Sequence, residues 1–168
     1  MQAELFDQIY AIMEASFPVS EFRTREGQRA LLAEEHYRLI TWQTPDGSVV
    51  AFMAVWEFPE FRFVEHIAVH PAARGNGMGD QLMKDYISES LVPVVLEVEP
   101  PENGWSLRRV GFYERLGFHL NSYEYKQPAL RVDQNDLPLN IMSYGKALSY
   151  AEFFSLKEKL YKNVYKIP

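Results

Sequence analysis

The chain has 168 residues, 47% of them hydrophobic and 24% charged, a size that suits one domain and hardly two. Its 17 basic and 23 acidic residues give a formal net charge of -6, which disfavours a nucleic-acid partner because the phosphate backbone is itself anionic. The sequence has no cysteine, which excludes disulfides, thiolate metal sites and cysteine nucleophiles. We therefore expect a single domain over residues 1–168, located in the cytoplasm.

The sequence predicts neither a secretion signal nor a membrane partner. The N-terminal segment has acidic residues and no basic residue before Arg23, whereas a secretion signal begins with a cationic region. The longest apolar run, 49–56, is far shorter than the roughly 20 residues that cross a bilayer.

Hydrophobic periodicity and turn residues predict alternating helices and strands. In chain order they predict a helix that ends before Pro18, a short helix at about 28–35, strands at 37–42, 48–58 and 61–69, a helix from Met78, a strand at 92–98, a helix at about 106–116, strands at 119–125 and 137–144, and a final helix after Tyr150. Strands outnumber the crossover helices, so a purely parallel sheet is disfavoured. We expect an α/β fold of the α+β type, with a mixed, mostly antiparallel central sheet flanked by helices.

A glycine-rich turn, Arg74-Gly75-Asn76-Gly77-Met78-Gly79, lies between the third predicted strand and a helix. Glycines let the backbone curl closely around a ligand, and the free N–H groups and dipole of a helix N-terminus attract an anion. A pyrophosphate could therefore be bound by the main chain alone, despite the acidic net charge. A purely structural role for these glycines is an open alternative.

Two familiar phosphate-binding loops do not match this turn. A P-loop ends in Gly-Lys-Ser/Thr, but Gly79 is followed by Asp80 and Gln81. A dinucleotide-binding loop would have glycine at the position of Asp80, whose charge would repel a pyrophosphate. ATP hydrolysis and NAD binding are therefore disfavoured.

The remaining pattern, Arg/Gln-x-x-Gly-x-Gly/Ala, is matched by Arg74, Gly77 and Gly79. With GFYERLGF at 111–118, this resembles the GNAT acetyltransferase superfamily. LEVEPP at 96–101 resembles the fifth strand of that superfamily, so the similarity covers about 37–125. The first strand of the superfamily is missing here, and the final helix is an addition.

The resemblance implies an acyl-CoA N-acyltransferase-like fold, acetyl-CoA as the coenzyme, no metal, and a small-molecule or peptide amine as the acceptor. A homodimer is left open, as are a non-catalytic acyl-CoA-binding module and a protein-interaction domain. The residues expected to contact the coenzyme are Ile67, Ala68, Val69, Arg74, Gly75, Asn76, Gly77, Met78, Gly79, Asp80, Ser106 and Tyr113. Ser106 stands where the superfamily often has asparagine.

Transfer of an acetyl group from a thioester to an amine needs a base that deprotonates the amine. Glu65 is the first candidate, because strand alternation would put its side chain on the face of Ile67 and Val69, where the resemblance places the pantetheine arm. A structural role for this carboxylate is equally open. Glu97 and Glu99 on the next strand are reserve candidates.

The same reaction needs a proton for the departing thiolate and a donor for the carbonyl oxygen. Tyr113 is the expected general acid, with a core tyrosine as the alternative. A backbone N–H from residues 67–69 is expected to stabilise the oxygen.

The acceptor site is the least determined part of the sequence. By analogy within the fold class, its lining is expected to include Phe22, Arg23, Tyr125 and Arg131. The negative net charge favours a cationic amine, whereas the two arginines would bind a carboxylate, so both substrate types stay open.

Overall fold

The computed structural model describes residues 1–168, which form five α-helices and six β-strands. In chain order these are α1 Ala3–Ser16, α2 Arg25–Ala30, β1 Tyr37–Gln43, β2 Val49–Glu57, β3 Arg62–Val69, α3 Met78–Glu89, β4 Val94–Val98, α4 Gly104–Arg115, β5 Phe118–Gln127, β6 Leu137–Tyr144 and α5 Tyr150–Lys159. A π-helical turn, Leu160–Val164, continues α5. The predicted elements are confirmed, with ends that differ by a few residues.

The six strands form one sheet in the order β1-β2-β3-β4-β6-β5. Only β3 and β4 run parallel, and every other neighbouring pair runs antiparallel. This confirms the mixed, mostly antiparallel sheet. No strand precedes α1, as the helical periodicity of the first residues predicted.

Helices cover the two faces of the sheet separately. The α1 face carries α1 and the C-terminal helix, whose buried Phe6, Ile9 and Leu156 pack in one apolar cluster. The α3 face carries α3 and α4, with Met83 and Val110 in a second cluster. None of the helices is long and apolar enough to cross a membrane.

An extra residue in β3 changes which face its side chains reach. Val55 of β2 pairs with Val64, and the next partners are Ala54 and His66, so Glu65 forms a bulge. A bulge shifts the alternation of the strand by one residue. Glu65 and the following His66 therefore both turn to the α1 face.

The contacts of β3 bear out this shift. Glu65 accepts a hydrogen bond from Trp56, which belongs to the apolar cluster of the α1 face. Ile67 instead packs against the cluster of the α3 face. The expectation that Glu65 shares a face with Ile67 and Val69 is wrong, because it assumed an unbroken ladder of strand pairs.

The parallel strands β3 and β4 separate soon after they pair. Only residues 62–64 of β3 are matched with residues 94–96 of β4. Beyond Val64 the edge of β3 that faces β4 has no strand partner. The separation opens a cleft through the sheet, which joins its two faces beside the glycine-rich turn.

Candidate active site

A groove of about 390 Å³ lies at this cleft on the α3 face. It is walled by the end of α1, the second half of β3, the start of α3 and one side of α4. Six of the residues expected to contact a coenzyme line it: Ile67, Ala68, Val69, Arg74, Gly79 and Tyr113. The structure therefore brings these six residues together at one groove, and their contact with a coenzyme stays a prediction.

The turn at residues 74–80 presents a row of unpaired amides. None of the backbone N–H groups in this range has a hydrogen-bond acceptor within the protein, and the first bonded amide of α3 is that of Gln81. Gly75 and Gly77 have φ of +88° and +72°, which let the chain curl without strain. A Cβ at either glycine would meet no atom within 4 Å, so the turn borders open space. Unpaired amides at a helix N-terminus form a binding site for an anion.

Side chains around the turn brace it. The guanidinium of Arg74 donates to the Val69 carbonyl oxygen at 3.1 Å and to the Ser16 hydroxyl at 3.0 Å. The amide of Asn76 donates to the Ala73 carbonyl oxygen. Asp80, which would repel an anion, is paired with Lys84 at 2.9 Å. The turn is thereby tied to β3 and α1 while its own amides stay available.

Ser106 caps a helix and does not line the groove. It is buried in the N-terminal cap of α4, where the backbone amides of Glu102 and Asn103 donate to its hydroxyl, and the hydroxyl donates to the Asn103 carbonyl oxygen. The structure does not bring Ser106 to the groove, so its predicted contact with a coenzyme has no support in the geometry. The spacing of Asn103 and Ser106, which together form a helix-capping box, was the sequence signal for this role.

A second, narrower cavity of about 60 Å³ continues from the groove through the cleft. The two share Phe17, Ile67, Trp105, Arg109 and Tyr113, so one passage connects them. Four carboxylate side chains line the second cavity: Glu21, Glu65, Glu97 and Glu99. We call it the acceptor cavity.

Tyr113 lies where the groove and the acceptor cavity meet. It is held in α4, its ring packs edge-on against Phe112 and Phe118, and the residue is 5% exposed. Its hydroxyl has no hydrogen-bond partner within the protein, and it is not among the fully enclosed polar atoms without a partner, so it borders the open passage. The hydroxyl is therefore free to bond with a molecule in the passage.

Glu21 and Glu99 both line the acceptor cavity. Burial, together with the charge and hydrogen bonding of Glu99, raises the pKa of Glu21 to about 7, whereas Arg109 acts to lower it. His66 fixes the backbone of Glu21, because its Nε2 lies 2.7 Å from the Glu21 carbonyl oxygen and its ring packs on Phe17. A carboxyl group with a pKa near neutrality is suited to accept a proton.

Glu65 is committed to partners inside the protein. One carboxylate oxygen accepts from Arg23 at 2.8 Å and the other accepts from Trp56 at 2.8 Å, and its side chain is 2% exposed. Burial alone would raise the pKa of Glu65, but the Arg23 charge and these bonds hold it below its ordinary value. Glu65 is thus a poor proton acceptor, and the geometry does not favour its predicted role as the base.

Glu97 lies deeper in the same cavity. It accepts a hydrogen bond from the hydroxyl of Tyr125, and the hydroxyl of Tyr165 lies 2.7 and 2.8 Å from its two oxygens. Burial raises the pKa of Glu97 to about 7, against the lowering effect of both hydroxyls. Tyr165 comes from the segment that follows α5, so the C-terminal end of the chain contributes to this site.

None of the four residues expected to line the acceptor pocket lines the cavity. Phe22 is buried, and the guanidinium of Arg131 lies over its ring, with bonds to the carbonyl oxygens of Phe22 and Arg23. Arg23 donates a hydrogen bond to Glu65, and Tyr125 donates one to Glu97, so both contact carboxylates that line the cavity. These four residues support the wall of the cavity from behind.

Several lining residues were absent from the sequence-based expectation, above all Glu21, Phe17, Trp105 and Arg109. Trp105 is 59% exposed and lines both the groove and the acceptor cavity. No group of three or more histidine or carboxylate side chains is arranged to hold a metal ion. Glu21 lies in a short turn after Pro18 that has no periodic pattern, so only its charge was a signal.

Comparisons with known proteins agree with this fold. A protein of Bacillus subtilis (strain 168) described as "Putative acetyltransferase YjbC" is 27% identical over 159 residues, which cover 93% of this chain and 80% of that protein. A solved structure described as "Putative acetyltransferase from GNAT family from Bacteroides thetaiotaomicron" superposes with a TM-score of 0.89 at 29% identity, over 98% of this chain and 94% of that one.

A phosphinothricin acetyltransferase of the GNAT superfamily from Sinorhizobium meliloti, solved in complex with AcCoA, has a TM-score of 0.59 at 15% identity, over 90% of this chain and 88% of that one. At this identity the likeness concerns the fold alone. The family model described as "Acetyltransferase (GNAT) domain" matches residues 27–120, more than half of the chain. With this match, on the fold and cleft described above, the chain belongs to the GNAT acetyltransferase family.

Proposed function

We propose that the protein transfers an acetyl group from acetyl-CoA to a primary amine, by direct attack of the amine on the thioester. The observation that carries the proposal is the row of unpaired amides at residues 74–80, which opens onto a groove that leads to Tyr113. The Sinorhizobium meliloti acetyltransferase of the same fold is described in complex with AcCoA, which supports the choice of coenzyme. The choice of an amine as the acceptor is supported by the four carboxylate side chains that line the acceptor cavity.

The residues of the groove fit such a coenzyme. The amides of residues 74–80 would bind its diphosphate, and the open space beside Gly75 and Gly77 leaves room for it. The edge of β3 at residues 67–69, which has no strand partner on the β4 side, would run beside the pantetheine arm and offer backbone donors to the carbonyl oxygen. Bound acetyl-CoA supplies the activated acetyl thioester.

Two groups of this chain would then move protons. Glu21, with Glu99 beside it, would take a proton from the acceptor ammonium, since a carboxyl group with a pKa of about 7 is about half ionised in neutral solution and is basic enough to accept it. Tyr113 would donate its phenolic proton to the departing thiolate from the other side of the passage. We propose Glu21 with Glu99 as the base in place of Glu65, whose oxygens are both bonded within the protein.

Two measurements test this function. Titration calorimetry with acetyl-CoA should give binding at one site per chain, and an assay of free thiol should detect coenzyme A release when a primary amine is added. Binding without amine-dependent thiol release over a broad amine panel would indicate a non-catalytic acyl-CoA-binding module. Absence of binding would overturn the proposal altogether.

A further inference from the structure

We propose that the acceptor cavity selects short, unbranched primary diamines, with Glu97 as the carboxylate that determines this specificity and Tyr165 as the residue that positions it. The inference rests on the acetyl transfer proposed above and names the class of acceptor. It also decides between the two substrate types, cation and carboxylate, that the sequence left open.

The charges around the cavity favour a cation. Four carboxylates line it, against one guanidinium, that of Arg109. Arg23 is bonded to Glu65 at 2.8 Å, and Arg131 donates to two backbone carbonyl oxygens. Arg109 acts on the charge of Glu21, so a carboxylate-bearing acceptor would compete with Glu21 for this one cation and would meet three further carboxylates. Such an acceptor is disfavoured.

Glu97 forms no ion pair with a basic side chain, and among the four carboxylates only Glu65 has such a partner. The groups that face it are the hydroxyl of Tyr125 from β5, the hydroxyl of Tyr165 from the C-terminal segment, Glu65 from β3, and Arg23, which is bonded to Glu65. The two phenols are neutral and only orient it. A positive charge on the substrate would therefore be the counter-ion that the protein does not provide.

The C-terminal segment sets the position of Tyr165. The π-helical turn Leu160–Val164 follows α5 and ends directly before this residue. Arg23 lies over the Tyr165 ring at 6.0 Å and its Nη2 reaches the Val164 carbonyl oxygen at 3.5 Å. Irregular π-helical turns are frequent at functional sites, and this one places a hydroxyl against Glu97, one of the residues that line the acceptor cavity.

The spacing of the carboxylates fits a diamine. Glu97 and Glu99 lie two residues apart along β4 and its extension, which corresponds to about 7 Å between their Cα atoms. This is similar to the reach of an extended diamine with four or five methylenes. Its reacting nitrogen would lie at the Glu21–Glu99 pair and its second ammonium at Glu97. The cavity of about 60 Å³ is narrow, which admits a linear chain more readily than a branched or cyclic one.

The test compares three five-carbon acceptors that present the same unbranched primary amine: cadaverine, pentylamine and δ-aminovalerate. They differ only at the far end, which is cationic, neutral or anionic. With saturating acetyl-CoA, the expected kcat/KM falls in that order, by about tenfold or more between cadaverine and δ-aminovalerate. Equal kcat/KM for the three, or a preference for δ-aminovalerate, would overturn the inference while leaving acetyl transfer intact.

Variants assign the preference to named residues. In Glu97→Gln the ratio of kcat/KM for cadaverine over δ-aminovalerate should fall about tenfold, and in Tyr165→Phe it should fall in the same direction by a smaller factor. The matched control is Tyr161→Phe, whose lost hydroxyl bonds to the Lys126 carbonyl oxygen outside the acceptor cavity and should leave the ratio unchanged. If Glu97→Gln does not fold, Tyr165→Phe carries the test alone, because its effect must appear as a change in the ratio. An unchanged ratio in folded Tyr165→Phe and Glu97→Gln would refute the assignment.

Failure of the inference is distinguishable from failure of the proposed function. Loss of acetyl-CoA binding in the wild-type protein, or no thiol release with any amine, would remove acetyl transfer itself. Thiol release that occurs with amines of every charge at the same efficiency would remove only the diamine specificity.

Discussion

Glu21 and Glu99 meet on the lining of the acceptor cavity, although Glu21 stands in the turn after α1 and Glu99 follows β4. His66 anchors the backbone of Glu21 at this position. Burial and the nearby charge of Glu99 raise the pKa of Glu21 to about 7, because a second carboxylate disfavours ionisation of the first. Glu21 can thus accept a proton near neutral pH.

The first prediction concerns the pH dependence of catalysis. Because the base must be ionised, kcat/KM should rise with pH through about 7, the raised pKa of Glu21. Glu21→Gln should abolish this rise of kcat/KM with pH and lower kcat about a hundredfold. In Glu99→Gln the rise of kcat/KM should occur at lower pH, since the substitution deletes a charge that raises the pKa of Glu21. Glu14→Gln, an exposed change on α1, is the control. With pentylamine as the acceptor, which has no second ammonium for Glu97, a rise that persists near pH 7 in Glu21→Gln would contradict the assignment.

The second prediction concerns Tyr113. Its hydroxyl bonds to nothing inside the protein, so Tyr113→Phe should leave the thermal midpoint nearly unchanged while kcat falls about a hundredfold. Calorimetry should show little change in acetyl-CoA affinity. Tyr86→Phe is the opposite control, because the Tyr86 hydroxyl donates to Glu57 at 2.8 Å away from the groove, and its loss should affect stability but not kcat. Unchanged turnover in Tyr113→Phe with a good acceptor would remove this tyrosine from the mechanism.

Local sequence signals were sufficient for the elements and the glycine-rich turn. The spacing of Phe6, Ile9 and Met13 and the Asp46-Gly47 hairpin act over a few residues, and the structure confirms both elements. The bulge at Glu65 could not be predicted, because nothing in the surrounding strand residues marks it. It is decided by how β3 pairs with β2, which is a tertiary property.

The acceptor cavity was missed for the same reason. Glu97 stands in the LEVEPP segment, but Glu21 and Tyr165 lie far from it in the sequence and belong to no motif. Arg23 and Arg131 were expected to line the acceptor site by analogy within the fold class, where free arginines would bind a carboxylate. Their engagement by Glu65 and by backbone carbonyl oxygens depends on long-range contacts that a linear pattern does not reveal.

The third prediction tests the glycine-rich turn. In Gly77→Glu the new side chain would enter the space beside the unpaired amides and oppose an anion there, so acetyl-CoA affinity should fall by about a hundredfold or more. The matched control is Gly47→Glu in the β1–β2 turn, because Gly47 also has a positive φ, +87°, and open space around its Cβ position. Both variants carry similar backbone strain, so only the loss in Gly77→Glu reports on the coenzyme. Calorimetry that gives equal affinities for the two would refute the anion-binding role.

The last prediction separates a structural from a catalytic role of Glu65. The Arg23–Glu65 pair is almost completely buried, with side chains 11% and 2% exposed, so Glu65→Gln leaves an uncompensated charge in the interior. The free energy of unfolding should fall by about 3 kcal/mol. The control is Asp7→Asn, which breaks the half-exposed Arg25–Asp7 pair and should cost about 1 kcal/mol or less.

The pH dependence of this loss has a defined sign. The folded pKa of Glu65 lies below its ordinary value, so the stabilisation by the ionised carboxylate is present above about pH 4.3 and is lost as the pH falls through the folded pKa. The difference in unfolding free energy between wild type and Glu65→Gln, measured in urea, should therefore be largest near neutral pH and shrink in acid. Glu21 and Glu97, whose pKa values are raised, titrate in both proteins and largely cancel in this difference. A variant as stable as wild type that has lost its turnover would restore Glu65 as the base and remove Glu21 from that role.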